Sequence, residues 1–313
     1  MAAILLFALA IQDPESVPRS KNGRIDLIRV LSGHRREVSC IVLDPKAKRI
    51  LSGGADATGR VWDLDTGKVL QTLEGDGSPI SAVAFSPDGK LAITGSWNST
   101  FRIWDVDAGK ELASWKGHDN LIGSVAFAPD GKRLASTSWD ETVRLWDVEN
   151  RRELRRMVGH RGWVDCVAVS PDGKKILSGG QDKTVRLWDA ETGREIGTWK
   201  GHAGHVWSVA FSPDGKRALT AGDTSLRLWD VESGKQILVM DEHEVGVDSV
   251  SFTDDGRRAI SAGGDKTVRL WDLGSGKALD SIAAKGAPAS LAVRGDTAVV
   301  GNCDGTLTVY RIR

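Results

Sequence analysis

From about residue 25 onward the chain is written in short segments in which apolar and polar residues alternate, with turn residues between them. The stretch SVAFAPDGKRLASTSWDETVRLWDVENRRELRRMVGH, residues 124–160, holds four such segments. The turn PDGK follows the first, a turn containing Asp140 follows the second, VENRR follows the third, and the fourth runs into Gly159 and His160. Alternation with a period of two is the pattern of half-buried strands. No helical period appears in these segments.

The four-segment unit recurs. Trp-Asp dipeptides begin at Trp62, Trp104, Trp146, Trp188, Trp229 and Trp271, with spacings of 42, 42, 42, 41 and 42 residues, and Tyr310 falls 39 residues after the last. Residues 25 to 313 number 289, which divided by 7 gives about 41, so the chain holds seven units of one supersecondary design. A unit of four antiparallel strands cannot bury both of its faces alone, and seven of them are expected to stack around an axis as blades. RIDLIRVL, ahead of Gly33 and His34, reads as a fourth strand lacking its first three, whereas Leu291 to Arg313 reads as three strands lacking a fourth. One end completes the other. The expected fold is all-β, a seven-bladed β-propeller of four-stranded antiparallel blades, closed by pairing of the N-terminal strand with the three C-terminal ones. Residues 24–313 form this propeller, and residues 1–23 an apolar signal-like segment and linker.

The Gly-His dipeptide, the Asp six residues before a Trp and the Trp-Asp ending resemble the WD-repeat (WD-40) family over about residues 25 to 313. That resemblance implies a hydrogen-bonded tetrad in each of five blades. Its members are His34, Ser52, Asp56 and Trp62 in blade one, and His118, Ser136, Asp140 and Trp146 in blade three. Blade four supplies His160, Ser178, Asp182 and Trp188; blade five His202, Thr220, Asp223 and Trp229; blade six His243, Ser261, Asp265 and Trp271. The physical requirement is that a buried indole N–H, imidazole and carboxylate each find a partner, since an orphan costs about 1–3 kcal/mol. Blade two has Asp76 in the histidine place and Asn98 in the aspartate place, a compensating pair that avoids setting carboxylate against carboxylate. Blade seven has no histidine, Val300 in place of Ser, Asp304 kept and Tyr310 for Trp, and is expected to be the least stable blade.

Candidate chemistry is narrowed by the same periodicity. A His, Ser and Asp repeated in five equivalent places is a framework, because a hydrolase needs its triad once. Five of the six histidines belong to tetrads, which leaves His205 as the free imidazole for acid–base work. His202 and His205 have weak metal-ligand spacing, but His202 is committed and no cysteine lies near, so no metal site is expected. The glycines fall at turns every period and form no Walker-type loop. No cofactor and no catalytic residue is expected.

Forty-two basic residues balance 42 acidic ones, which gives no overall pull toward nucleic acid or an anionic membrane. The arginines two before each Trp (Arg60, Arg102, Arg144, Arg186, Arg227, Arg269) are spread around the ring and read as framework ion pairs or solvated stems, not as a nucleic-acid surface. Cys40 and Cys166 occupy equivalent repeat positions about three periods apart and are not expected to pair.

The first eleven residues, MAAILLFALAI, are too few to span a bilayer, for which about 20 are needed. Ala8, Leu9 and Ala10 suit a signal-peptide cleavage site, whereas the lack of Lys or Arg before Arg19 argues against one. Export would place the protein in a periplasm or outside the cell, and its absence in the cytoplasm.

Subtracting the framework isolates four indoles. Six of the 12 Trp belong to Trp-Asp pairs, and Trp115 and Trp199 take core positions held elsewhere by Leu or Met. Trp97 and Trp139 stand just before the turn Asp or its Asn substitute; Trp163 and Trp207 follow Gly-His loops. All four fall on one face of blades two to five, with Asp165 and His205 at the edge of the group. Exposed Trp is the residue type most enriched at binding hot spots. The family resemblance implies a rigid, non-catalytic scaffold that binds a protein or peptide across this face, with the propeller monomeric by itself. The alternative is recognition of a small molecule or glycan at the aromatic-rimmed channel.

Overall fold

The computed structural model describes residues 18–313. The apolar run at the N-terminus, with its signal-like reading, lies outside the described residues. The ring begins with β1 (Ile25–Ser32), followed by the four strands of blade one: β2 (Val38–Leu43), β3 (Arg49–Gly54), β4 (Thr58–Asp63) and β5 (Val69–Glu74). Blades two to six repeat that order as β6–β9 (residues 80–116), β10–β13 (122–158), β14–β17 (164–200), β18–β21 (208–240) and β22–β25 (247–283), each a four-stranded antiparallel sheet ordered from the channel outward. Blade seven takes β26 (Pro288–Arg294), β27 (Thr297–Asn302) and β28 (Thr306–Ile312) from the C-terminus, and β1 as its outer strand. The register pairs Ile25 with Ile312 and Ser32 with Thr306, so the two ends close the ring.

The stretch before β1 is tied down rather than loose. Asp280, buried in blade six, accepts the backbone N–H groups of Asn22, Arg24 and Ile25 at 2.7, 2.6 and 3.0 Å. Burial opposes ionisation of Asp280, but these amides, with the Ser20 hydroxyl, outweigh it and hold the carboxyl below its usual range.

Simple alternation describes the outer strands and misreads the second strand of each blade. In β3 every residue after Arg49 is buried, Ser52 and both glycines included, because neighbouring blades pack on both faces of this strand. Polar residues there face the next blade, not water. A Cβ on Gly53 would stand 2.5 Å from Ile80 of blade two, so the glycine is required by the close approach of the blades.

Blade seven fills its missing tetrad in a different way. In blades one and six the residue at the end of the second strand is Gly54 or Gly263, where a Cβ would press on the tetrad imidazole at 2.7 or 2.9 Å. Blade seven has no imidazole, and Asn302 stands at that position, fully buried, donating to Thr306 at 3.0 Å and Thr308 at 2.9 Å. Two side-chain bonds replace a four-residue chain. On warming, amides of residues 291–313 should exchange before those of blade four in hydrogen-exchange mass spectrometry. Equal protection of the two blades would refute this order.

Candidate functional site

Each complete tetrad is a directed chain. In blade three the Trp146 indole N–H donates to Ser136 Oγ at 2.8 Å, Ser136 Oγ lies 2.7 Å from His118 Nε2, and His118 Nδ1 lies 2.8 Å from Asp140. The carboxylate accepts from Nδ1–H, which leaves Nε2 to accept the serine proton. Blades one, four, five and six repeat the chain, with histidine-to-hydroxyl distances of 2.7, 2.8, 2.8 and 2.7 Å. Burial lowers the pKa of His34, His118, His202 and His243, which favours this neutral state. Burial also works against ionisation of Asp56, but the Arg35 amide, His34 and Thr58 together bring it down to about 2. These imidazoles and hydroxyls are consumed by one another, with no free face for a substrate.

Blade two closes its network with other atoms. The Asn98 amide donates to Asp76 at 2.7 Å, and Arg102 pairs with the same carboxylate at 2.7 Å and with Glu111 at 2.6 Å. Trp104 donates to Thr94 at 3.0 Å. Arg144 and Arg269 likewise contact their turn aspartates, at 2.8 and 3.4 Å, as framework ion pairs. Of the two core indoles, Trp199 is buried and Trp115 half-buried against Phe101 and Trp146.

The Gly-His loops and the turns holding the tetrad Asp share one face, as their hydrogen bonds require; we call it the top. There three of the four remaining indoles join one network. Trp139 lies flat on Trp163, with centroids 3.9 Å apart and planes 6° apart. Trp139 also donates its N–H to Asp165 at 2.9 Å, and the other oxygen of Asp165 pairs with His205 Nε2. His205 in turn stacks on Trp207 at 3.9 Å. The result is a continuous strip, Trp163–Trp139–Asp165–His205–Trp207, across blades three to five. Its outer members remain in water, Trp163 at 38% and Trp207 at 44% exposure, while Asp165 fixes the middle. Trp97 is more exposed, at 54%, but among the described residues no ring contact joins it to the strip.

Asp165 and Trp207 also belong to the channel wall. They take the same repeat position as Ser39, Ser81, Gly123 and Ala289, around a channel of about 350 Å³, with Trp207 just ahead of the inner strand of blade five. Asp248 is the next member of that series, and sequence reading passed over it, although its offset of 41 residues from Trp207 was available as a signal. Burial, with a smaller contribution from the Asp265 carboxylate, raises its pKa to about 6. The folded state therefore holds this proton more tightly than the unfolded chain does. That stabilisation is complete below the ordinary carboxyl pKa and is lost as pH rises through 6. Asp248→Asn should accordingly stabilise the protein at pH 8 by about 1–2 kcal/mol, allowing for solvent screening, and by much less near pH 4. Urea denaturation at the two pH values checks it.

Cys40, Cys166 and Cys303 are free thiols. Among the described residues no group of three or more His, Cys, Asp or Glu side chains is placed to hold a metal ion, and no helix is long and apolar enough to cross a membrane.

Seven four-stranded blades packed face against face around a channel, five of them carrying the same Trp–hydroxyl–His–Asp chain, define a closed repeat propeller with a polar framework. The chain belongs to the WD40 family (WD domain, G-beta repeat), which matches residues 25–63, 67–105, 109–147, 151–189, 193–230 and 234–272. The three C-terminal strands of blade seven lie beyond these six repeats, and its outer strand β1 falls within the first. A 45-residue stretch is 44% identical to human THO complex subunit 6, covering 14% of this chain and 13% of that protein. A 69-residue stretch is 39% identical to eukaryotic translation initiation factor 3 subunit I of Xenopus tropicalis, covering 22% of this chain and 21% of that protein. The same subunit of Bombyx mori is 35% identical over 69 residues, 22% of this chain and 20% of that protein. The matched stretch thus spans about a fifth or less of each relative.

Proposed function

We propose that the protein is a non-catalytic scaffold that binds a protein or peptide partner through the top face of its propeller. The observation that carries this reading is the strip from Trp163 to Trp207, in which half-exposed indoles are held rigid by stacking and by Asp165. Rigid aromatic anchors lose little conformational entropy on binding, which is why they dominate interface energetics. Family membership supports the reading, as do the relatives, whose names describe subunits of larger assemblies. A glycan needs one or two open indole faces, and a strip reaching over three blades offers more than that, which favours an extended partner.

The test compares the proteins retained by the intact chain with those retained by a Trp97→Ala, Trp163→Ala, Trp207→Ala triple variant. Trp139 is left in place because it is half-buried and bonded to Asp165. The expected result is loss of a partner from a variant whose thermal unfolding is unchanged. Identical retained sets would reject the top-face reading.

A further inference from the structure

Subtracting the repeat framework a second time, now on the outer rim, leaves one anomalous strand. β13 (Arg152–Val158) is the outer strand of blade three and carries Arg152, Arg155 and Arg156, preceded by Arg151 in the turn. A basic residue at position 152 is ordinary, since Lys68, Lys110, Arg194, Lys235 and Lys277 occupy it in blades one, two, four, five and six. Arg151 and Arg156 are departures, whereas Arg155 has a counterpart in Arg29 of β1. Where Arg155 and Arg156 stand, blade one has Gln71 and Thr72, blade two Ala113 and Ser114, and blade four Gly197 and Thr198.

Arg151 departs furthest. Its equivalents Gly67, Gly109, Gly193, Gly234 and Gly276 all have φ between +64° and +74°, and Arg151 adopts φ +54° in the same turn. That left-handed conformation suits glycine and strains a side-chain-bearing residue. The chain thus accepts backbone strain at the one turn where it places an additional guanidinium.

These charges are poorly compensated. Arg152 pairs with Asp147 at 3.2 Å and Arg156 with Glu153 at 3.1 Å, but Glu153 is shared with Arg144. Among the described residues the Arg155 guanidinium donates only to carbonyls, those of Glu191 and Leu154, each at 2.7 Å. Among the described residues no carboxylate bonds Arg151 or Arg155. All four arginines are exposed, and Val158 at the end of the strand is 71% exposed. As the last strand of its sheet, β13 also presents a row of main-chain N–H and C=O groups on its free edge.

We infer that β13 is a second docking surface, on which an extended acidic segment of a protein partner adds as a fifth strand to blade three. Main-chain pairing supplies the direction of the segment, and its carboxylates meet Arg151, Arg155 and Arg156. The surface lies on the outer rim, apart from the aromatic strip, and does not depend on the top-face reading.

The test uses a seven-residue peptide with glutamates at adjacent positions as probe, so that carboxylates stand on both faces of the added strand where Arg155 and Arg156 point, titrated into isotope-labelled protein by NMR. The variant Arg151→Gly, Arg155→Gln, Arg156→Thr installs the residues of blade one. Arg151→Gly alone removes strain and serves as a second variant that keeps the fold. The expected result is chemical-shift changes concentrated on β13 amides, at least tenfold weaker binding to the triple variant, and weaker binding to the single one. Three results overturn the inference: equal affinity for intact chain and triple variant; equal binding of a peptide of the same charge interrupted by proline, which cannot pair; or tighter, arginine-dependent binding of single-stranded polyuridine, which would make the strand a nucleic-acid contact.

Discussion

Replacing Trp188 with alanine should lower the stability of the propeller by about 3–5 kcal/mol, while Trp97→Ala should change it by no more than about 0.5 kcal/mol. The two indoles differ in what surrounds them. Trp188 is 1% exposed and packs with Ala135, Val143, Leu145 and Met157 of blade three as well as with Val164, Val167 and Ile176 of its own blade. Its removal empties space that two blades share, and neither rigid sheet can collapse into it. The lost indole also leaves Ser178 Oγ without its 2.8 Å donor at the centre of the tetrad. Trp97 is 54% exposed and fills no such space. Urea midpoints at unchanged slope measure both effects. Equal shifts for the two variants would show that the tetrad Trp does not fill the seam between blades.

The difference between those two indoles was legible in the sequence, because one belongs to the 42-residue period and the other interrupts it. Periodicity likewise carries the blade count and the closure of the ring by its two ends, and the resemblance to the WD-repeat family, laid on that period, implies the members of the five tetrads. Periodicity carries no information on how neighbouring side chains pair within a face. The four indoles were grouped by position alone, yet three of them form a stacked strip and Trp97 stands apart. Asp165 was placed at the edge of the group and proves to be its centre, bonded to Trp139 on one side and His205 on the other. Second-strand burial was hidden for a related reason. Gly53 looks like a solvent position in a half-buried strand, and only the packing of blade on blade turns it inward. Asn302 illustrates the same limit. Its role depends on an imidazole that is absent, a relation between two positions that cannot be read from either alone.

Deleting the residues before Gly33 should cost the protein its cooperative fold, although six of the seven blades keep all of their strands. β1 is the outer strand of blade seven, and its two buried ends reach into different neighbours. Ile25, 1% exposed, packs with Ile260, Val268 and Leu270 of blade six, and Leu31, 5% exposed, packs with Ile50 and Trp62 of blade one. Burial of these two side chains alone contributes about 3–6 kcal/mol, to be set against a typical total of about 5–15 kcal/mol for a folded domain. The ladder from Ile25–Ile312 to Ser32–Thr306 is lost with them, which exposes β28 as a free edge beside Tyr310 and Leu307. Loss of an outer strand from any other blade would leave the ring closed, whereas loss of β1 removes the piece held by both ends of the chain. The truncated protein should show a broad, non-cooperative melt and bind a hydrophobic dye. A synthetic peptide of residues 24–32 added in trans should sharpen the melt, because the register on β28 is specified by alternate burial along β1. A truncated chain that melts sharply at the temperature of the intact protein would mean that the other blades close the ring without this strand.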